Sequence, residues 1–326
     1  MDTAQRRWTR LGWWTLAIVA AACILSAPWT FGRVRIGSAD EPRYAAANLN
    51  LNQLPPAWMG LAPEEADRIE SAAAAGDYVP GRWLGTDVLG RDVLARVLAG
   101  GLFSLLVGFS AAAVAVVIGT AWGAAAGFAG GRVDAVLMRI VDVLYGLPSI
   151  LLVVLLAIAV EGLVGRAGDR LSPGASQAVG LAVLLVAIGG TSWQTMSRVV
   201  RGQVLSLRAQ PFMESCRAVG VPASRQFLVH VLPNLVGTIA VYATLAVPAA
   251  ILSESFLSFL GIGVREPLPS WGNLASAGLS EVNLVKSRWW LLAAPCALIA
   301  VTLVSLNFIG DSLRARFDPT ASRSRW

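Results

Sequence analysis

The sequence predicts an all-α membrane protein of six transmembrane helices, with a helical elbow on one face of the membrane and a long loop on the other. Three observations carry this reading. Of 326 residues, 56% are hydrophobic and only 14% charged, whereas soluble domains average about 25% charged residues. Six apolar runs reach the ~20 residues that a helix needs to cross a ~30 Å hydrocarbon core at about 1.5 Å per residue. Arginines collect beside alternate ends of those runs. The length would also suit two or three soluble domains, but the composition suits one bundle in a bilayer with a modest extramembrane part. Disorder is excluded, because the chain is apolar and its net charge of +6 is small for its length.

Residues 1–29 form the N-terminus and the first span, Leu11 to Trp29. Arg6, Arg7 and Arg10 ahead of this run also describe a signal peptide, and Ala20-Ala21-Ala22-Cys23 hints at a lipoprotein cleavage site without the usual Leu three residues earlier. Trp13, Trp14 and Trp29 suit a retained helix anchored at two interfaces. Residues 30–101 follow as an extracytoplasmic loop and lead-in helix. Pro63-Glu64-Glu65 begins a short helix there, with proline tolerated in its first turn and acids complementing its dipole; Gly76 stops it. Val93, Leu94, Val97 and Leu98 share one face of an amphipathic lead-in. The loop carries no cluster that suggests chemistry and reads as a surface cap.

Residues 102–326 form a five-helix core. Its spans are Leu102 to Phe128, Val141 to Val160, Ala178 to Met196, Leu235 to Leu252 and Trp289 to Ile309; Asp142, Glu161 and Glu254 sit only at span edges. Gly119, Gly123 and Gly127 make a small-residue stripe that lets another helix approach, in this chain or in a partner.

Orientation follows from basic residues near the span ends. With the N-terminus cytoplasmic, the inside segments hold Arg6, Arg7 and Arg10; Arg132 and Arg139; Arg198, Arg201, Arg208, Arg217 and Arg225; and Arg314, Arg316, Arg323 and Arg325. The short outside loops hold Arg166, Arg170, Arg265, Lys286 and Arg288. Both termini are therefore expected in the cytoplasm. Because the arginines flank apolar runs rather than line a soluble face, they point to a bilayer and not to nucleic acid.

The inside loop of about 197–234 reads as two short helices joined at a glycine. Pro211 suits the first turn of Phe212 to Val219, Gly220 ends that helix in the left-handed conformation, Pro222 starts a second helix and Pro233 closes it.

Absences narrow the mechanism. No GxxxxGK followed by Ser or Thr is present, so ATP hydrolysis on a P-loop is not expected from this chain. The spans carry no internal acid, base or histidine of the kind that ion-coupled carriers use. Cys23, Cys216 and Cys296 are too scattered for a disulfide framework or closed zinc site, and His230 has no GxSxG partner for a triad. A membrane enzyme built on Asp142 or Glu161 would lack paired acids beside a histidine or metal cluster. No catalytic residue, metal or cofactor is expected. What remains is a pathway-forming subunit driven by another polypeptide.

Glu214-Ser215-Cys216-Arg217-Ala218-Val219-Gly220, then nine residues, then His230-Val231-Leu232-Pro233, resembles the EAA loop of ABC importer permeases, with Ser215 and Cys216 in place of the usual two alanines. Leu84-Gly85-Thr86-Asp87 with Leu89-Gly90-Arg91-Asp92 is similar to the lead-in of oligopeptide and dipeptide permease subunits, as is Gly130-Gly131-Arg132-Val133-Asp134 with Met138-Arg139 and Pro148. Glu254-Ser255-Phe256-Leu257-Ser258-Phe259-Leu260-Gly261 with Ser270-Trp271-Gly272, and Asn307-Phe308-Ile309-Gly310-Asp311 with Asp318-Pro319, resemble the C-type subunit of that family.

The resemblance implies a multi-pass subunit of the bacterial cytoplasmic (inner) membrane, paired with a homologous permease subunit as a heterodimer. It also implies two ABC ATPase subunits or domains inside and a peptide-binding protein outside. It makes Glu214, Ser215, Cys216, Arg217, Ala218 and Gly220 the ATPase-docking elbow. The cargo is an oligopeptide or dipeptide, or else nickel, an oligosaccharide or another small solute, since related permeases share these motifs. Gln194, Tyr242, Thr244 and Glu254, polar residues in or beside spans, are the candidates for the pathway or its gate.

Overall fold

The computed structural model describes residues 3–167, 173–282 and 287–317; Arg170, Lys286, Arg323, Arg325 and the Asp318-Pro319 pair lie outside the described residues. Among the described residues the regular structure is helical apart from one antiparallel hairpin, β1 (Arg33–Ile36) with β2 (Ala39–Pro42), and an isolated bridge between Thr86 and Asp92. The helices are α1 (Thr3–Leu25), α2 (Ala27–Thr30), α3 (Pro63–Ala74), α4 (Val93–Ala129), α5 (Gly131–Tyr145), α6 (Ser149–Ala167) and α7 (Pro173–Arg208). They continue as α8 (Pro211–Ala218), α9 (Ala223–Arg225), α10 (Leu232–Phe259), α11 (Trp271–Ser280) and α12 (Trp289–Phe317).

Among the described residues, five segments are long and apolar enough to cross a membrane: Arg7–Thr30, Val93–Ala129, Gln177–Arg208, Ala223–Phe259 and Trp289–Ala315. The pair Gly131–Tyr145 and Ile150–Leu156 has the composition of a further span only when its two parts are taken together, and it is bent by 89° between them. The expected span Val141 to Val160 is therefore not one straight helix. Pro148 has no N–H and pushes Leu147 out of the helical region, so α5 closes on a bond from Gly146 N to Asp142 O (3.0 Å) and α6 starts afresh.

Other boundaries also move. The lead-in and the second span are one helix of 37 residues. The fourth span continues past Met196 to Arg208, so the connection to α10 is shorter than expected. Pro233 closes nothing: α9 passes through a π-helical turn, Gln226–Val231, directly into α10. The wider turn relieves the clash that a proline ring makes with the carbonyl one turn earlier.

The chain divides into two compact units. The first comprises Met1–Trp13, Val107–Ser253 and Val304–Trp326. Its core joins Ala124 of α4, Met196, Val200 and Val204 of α7, Met213 of α8, Val231, and Leu235 of α10. The glycine stripe has its partner here in α7. A Cβ at Gly119 would stand 2.6 Å from Met196 Cβ, one at Gly123 would collide with the Ser197 carbonyl, and one at Gly127 would stand 2.9 Å from Val204 Cβ. Where lipid gives no hydrophobic drive between helices, this close approach supplies dispersion contact instead.

The second unit comprises Trp14–Leu106 and Glu254–Leu303. Val93 and Val97 of α4, Leu274 of α11, and Trp290 and Leu291 of α12 form its core, with Leu84 packed against it. α3 starts as expected at Pro63, where Glu65 accepts a hydrogen bond from Ala62 N at 2.9 Å, and Gly76 follows at φ +74°. Arg91 and Arg96 each reach Glu266 at 2.7 Å, and Arg91 also pairs with Asp87 at 2.7 Å. Burial would raise the Glu266 carboxyl, but Arg96 and Arg91 hold it below its usual range. Asp92 accepts from the amides of Leu94 and Ala95 at the head of α4 and from Tyr78 Oη; burial outweighs these bonds and raises its pKa.

Candidate functional site

α8 is a short helix with one buried anchor and one open face. Pro211 occupies its first turn behind Gln210, as a residue whose missing N–H would be unpaired there anyway. Met213 is fully buried, while Glu214, Ser215, Arg217 and Ala218 are exposed and Cys216 is half-buried. The helix stops on a bond from Gly220 N to Arg217 O (3.0 Å) and one from Val221 N to Cys216 O (2.9 Å), with Gly220 at φ +78°. This is the double-bonded stop that a left-handed residue permits and that glycine adopts without Cβ strain.

Contacts beyond α8 fix its tilt. Arg217 Nη2 donates to the Arg208 carbonyl at the end of α7 (3.3 Å), and Gln226 Nε2 donates to Val221 O (2.6 Å). The Phe212 ring lies 6.4 Å from the His230 ring. Glu214 and Ser215 are left on the surface, where Ser215 Oγ donates only to Pro211 O within its own helix (3.1 Å). A rigid arm results, bearing one carboxylate and small neighbours.

The same core reaches a cleft. Met196 and Tyr242, both packed in the cluster that holds Met213, also line a cavity of about 570 Å³ in the first unit. Gln194, Thr191, Ser192, Thr195 and Tyr145 contribute its polar wall, and no lining residue is charged. Thr191 and Ser192 spend their hydroxyl protons on α7 carbonyls, Ser192 on Ile188 O at 2.7 Å, so they present acceptor oxygens. At the edge, Arg198 stacks over Tyr145 at 4.1 Å and donates to Asp142 at 2.9 Å.

Of the four pathway candidates, the structure brings Gln194 and Tyr242 together in this cleft. Thr244 is not among the lining residues; its hydroxyl donates to Val241 O at 2.7 Å. Glu254 lies in the second unit, fully buried, accepting from Ser258 Oγ at 2.7 Å and bonded by Ser104, Ser255 and Ser270. Tyr145, which also lines the cleft, was not singled out from the sequence; its signal was the break at Gly146-Leu147-Pro148, which ends α5 with Tyr145 at its tip.

Comparison with known proteins matches residues 115–323 to the binding-protein-dependent transport system inner membrane component family. The oligopeptide transport system permease protein OppC of Bacillus subtilis (strain 168) is 40% identical over 237 residues, 73% of this chain and 71% of the relative. The dipeptide transport system permease protein DppC of the same organism is 41% identical over 241 residues, 74% of this chain and 69% of the relative. OppC of Escherichia coli (strain K12) is 43% identical over 247 residues, 76% of this chain and 75% of the relative. With residues 115–323, more than half of the chain, inside one family model and this much identity along most of its length, the chain belongs to the binding-protein-dependent transport system inner membrane components, and among them to the C-type permease subunits of ABC importers.

Proposed function

We propose that this subunit supplies half of the translocation pathway of an ATP-driven importer of oligopeptides or dipeptides. Its partner is a homologous permease subunit, two ABC ATPase subunits or domains bind on the cytoplasmic side, one of them at α8, and an extracytoplasmic peptide-binding protein delivers cargo. Both termini are cytoplasmic in this arrangement, which the arginine distribution supports. The carrying observation is the shared core: Met213 anchors the arm, and Met196 and Tyr242, in the same cluster, form part of the cleft wall. Force applied to α8 reaches that wall through packed side chains rather than through a flexible linker.

Peptide is favoured over nickel by the cleft itself. Its lining offers hydroxyl, amide and phenol groups that suit peptide amides, and no carboxylate, imidazole or thiolate for a borderline metal ion. The chain contains no P-loop, so the ATPase partners supply the energy.

The test is reconstitution in vesicles with the paired permease, both ATPases and the binding protein. Labelled peptide should accumulate only with ATP, and the isolated subunit should show neither ATPase activity nor gradient-driven uptake. Accumulation of nickel but not peptide, or peptide uptake without ATP, would overturn the reading. Cys216 should also react with an impermeant thiol reagent only when the cytoplasmic face is open, in a preparation stripped of ATPase.

A further inference from the structure

Two segments of the second unit place exposed tryptophans around the head of a spanning helix. Ala57 N donates to Arg82 O at 2.8 Å, so Trp58 and Trp83 each follow one partner of a backbone bond that ties residues 53–61 to residues 81–85. The tie rests on α12. Leu84 packs against the Trp290 cluster, and a Cβ at Gly85, which stands at φ +75°, would come within 3.1 Å of Trp290 Nε1. The Trp58 ring centroid lies 6.2 Å from that of Trp289, the first residue of α12.

Burial of these rings within the unit is far from complete. Trp58 is 60% exposed, Trp83 69% and Trp289 49%, and Met59 and Leu61 beside them are exposed too. Neither segment contains an Asp or Glu, and their one charge is Arg82. Large apolar side chains held open to solvent need a partner, and the location says which. A tryptophan that opens a membrane-spanning helix sits at headgroup level, where an amphipathic indole is most stable. Trp58, in contact range of Trp289, shares that level.

We propose that Trp58, Met59, Leu61 and Trp83 form an interfacial anchor that inserts into the headgroup layer of the leaflet from which α12 starts. Its partner is the lipid surface. The loop thereby sits down on the membrane at the head of α12, a role for residues 53–85 beyond that of a surface cap. Arg82, whose Nη1 donates to the Pro55 carbonyl at 3.3 Å, adds attraction for lipid phosphate, and the carboxylate bonded to Gln53, that of Glu281, is itself paired with Arg288 at 3.2 Å.

The experiment uses the full chain, alone and in the assembled complex, in phosphatidylcholine–phosphatidylglycerol vesicles. Single cysteines replace Trp58, Trp83 or the α3 residue Glu64, in a background lacking Cys23, Cys216 and Cys296, and carry a nitroxide. The ratio of collisions with oxygen, which partitions into lipid, to collisions with a water-soluble nickel chelate should be several-fold higher at 58 and 83 than at 64. A ratio at 58 and 83 equal to that at 64 would overturn the anchor. So would exclusion of both reagents that appears only when the binding protein or the paired permease is added, because the patch would then be a protein-docking surface. To guard against misfolded cysteine variants, the chain with both Trp58→Phe and Trp83→Phe is compared with the unaltered chain in brominated-lipid vesicles. The double variant should lose part of the lipid-quenched fluorescence; an unchanged quenched amplitude would equally refute the proposal.

Discussion

Arg201 on α7 holds Asp134 on α5 through two parallel charge-assisted hydrogen bonds, the Nη2 to Oδ2 bond being 2.6 Å. Asp134 is mostly shielded and Arg201 is a third exposed. The pair matters because α5 is cut off from α6 at Pro148 and has to be held by its neighbours. Hydrogen bonds to charged groups contribute about 1.5–3 kcal/mol, and screening at the exposed guanidinium takes part of that away. Asp134→Asn should therefore cost about 1–2 kcal/mol and increase amide exchange along α5. Arg201→Lys should lose protection along α5 as well, since an ammonium lacks the fork. Unchanged exchange in both variants would refute the clamp.

The glycine stripe makes a prediction of opposite signs within one pair of helices. A methyl at Gly123 meets the Ser197 backbone, which cannot rotate away, so Gly123→Ala should destabilise by about 1–3 kcal/mol as an overpacked contact. Gly202, on α7, has open space around its Cβ position. Gly202→Ala should be neutral or stabilising by up to about 1 kcal/mol, because it improves helix propensity without a clash. Thermal unfolding of the two variants in the same detergent decides this.

Glu266 gives a pH dependence. Arg96 and Arg91 hold its pKa below the usual carboxylate range, against the effect of burial. A depressed folded pKa means that the ion pairs stabilise fully above the unfolded value of about 4.3 and that this stability is lost as pH falls through the folded value. Asp92 has the opposite sign: its pKa is raised, so protonation on acidification relieves a buried charge. Glu266→Gln isolates the first effect. The variant should melt below the unaltered protein at pH 7 and converge with it near pH 3; an equal gap at both values would contradict the assignment.

Much of the fold was legible because lipid imposes a simple rule: a spanning helix is a run of apolar residues, and five segments obey it. The sixth was misread because apolarity runs straight through Gly146-Leu147-Pro148, and hydropathy reports solvent preference rather than helix continuity. Pro233 misled in the other direction. Proline ends helices when the preceding turn is tight, and the π-helical turn at Gln226–Val231 is wide. The elbow was readable since Pro211 and Gly220 act locally through missing N–H and allowed φ. The cleft was not, because Gln194 and Thr244 look alike in sequence and only tertiary packing decides which of them faces a cavity. The hairpin had a signal in the alternation of Arg33-Val34-Arg35-Ile36 before Gly37, which stands at φ +58°.

The coupling role of α8 separates three substitutions by mechanism. Met213→Ala removes the buried anchor, so it should cost about 2–5 kcal/mol as a core cavity and loosen α8 together with the wall at Tyr242. Glu214→Gln leaves the packing intact. As a mere complement to the helix dipole, Glu214 is worth about 0.3–1 kcal/mol locally and its replacement should leave transport nearly unchanged. As the charged contact in an ATPase groove, its loss leaves a partner charge unpaired, at a cost of up to about 3–5 kcal/mol to the complex and none to the fold of the subunit. Gly220→Val acts through the backbone alone, because nothing stands near its Cβ position and the strain comes from φ +78°. The docking role predicts that Glu214→Gln keeps the melting temperature of the isolated subunit while ATPase co-purification and ATP-driven uptake both fall. Gly220→Val should reduce both while shifting α8 protection. Measured at equal membrane levels, normal uptake and normal ATPase retention in these two variants would refute the elbow as the coupling element, and a fall only in Met213→Ala would assign α8 to stability alone.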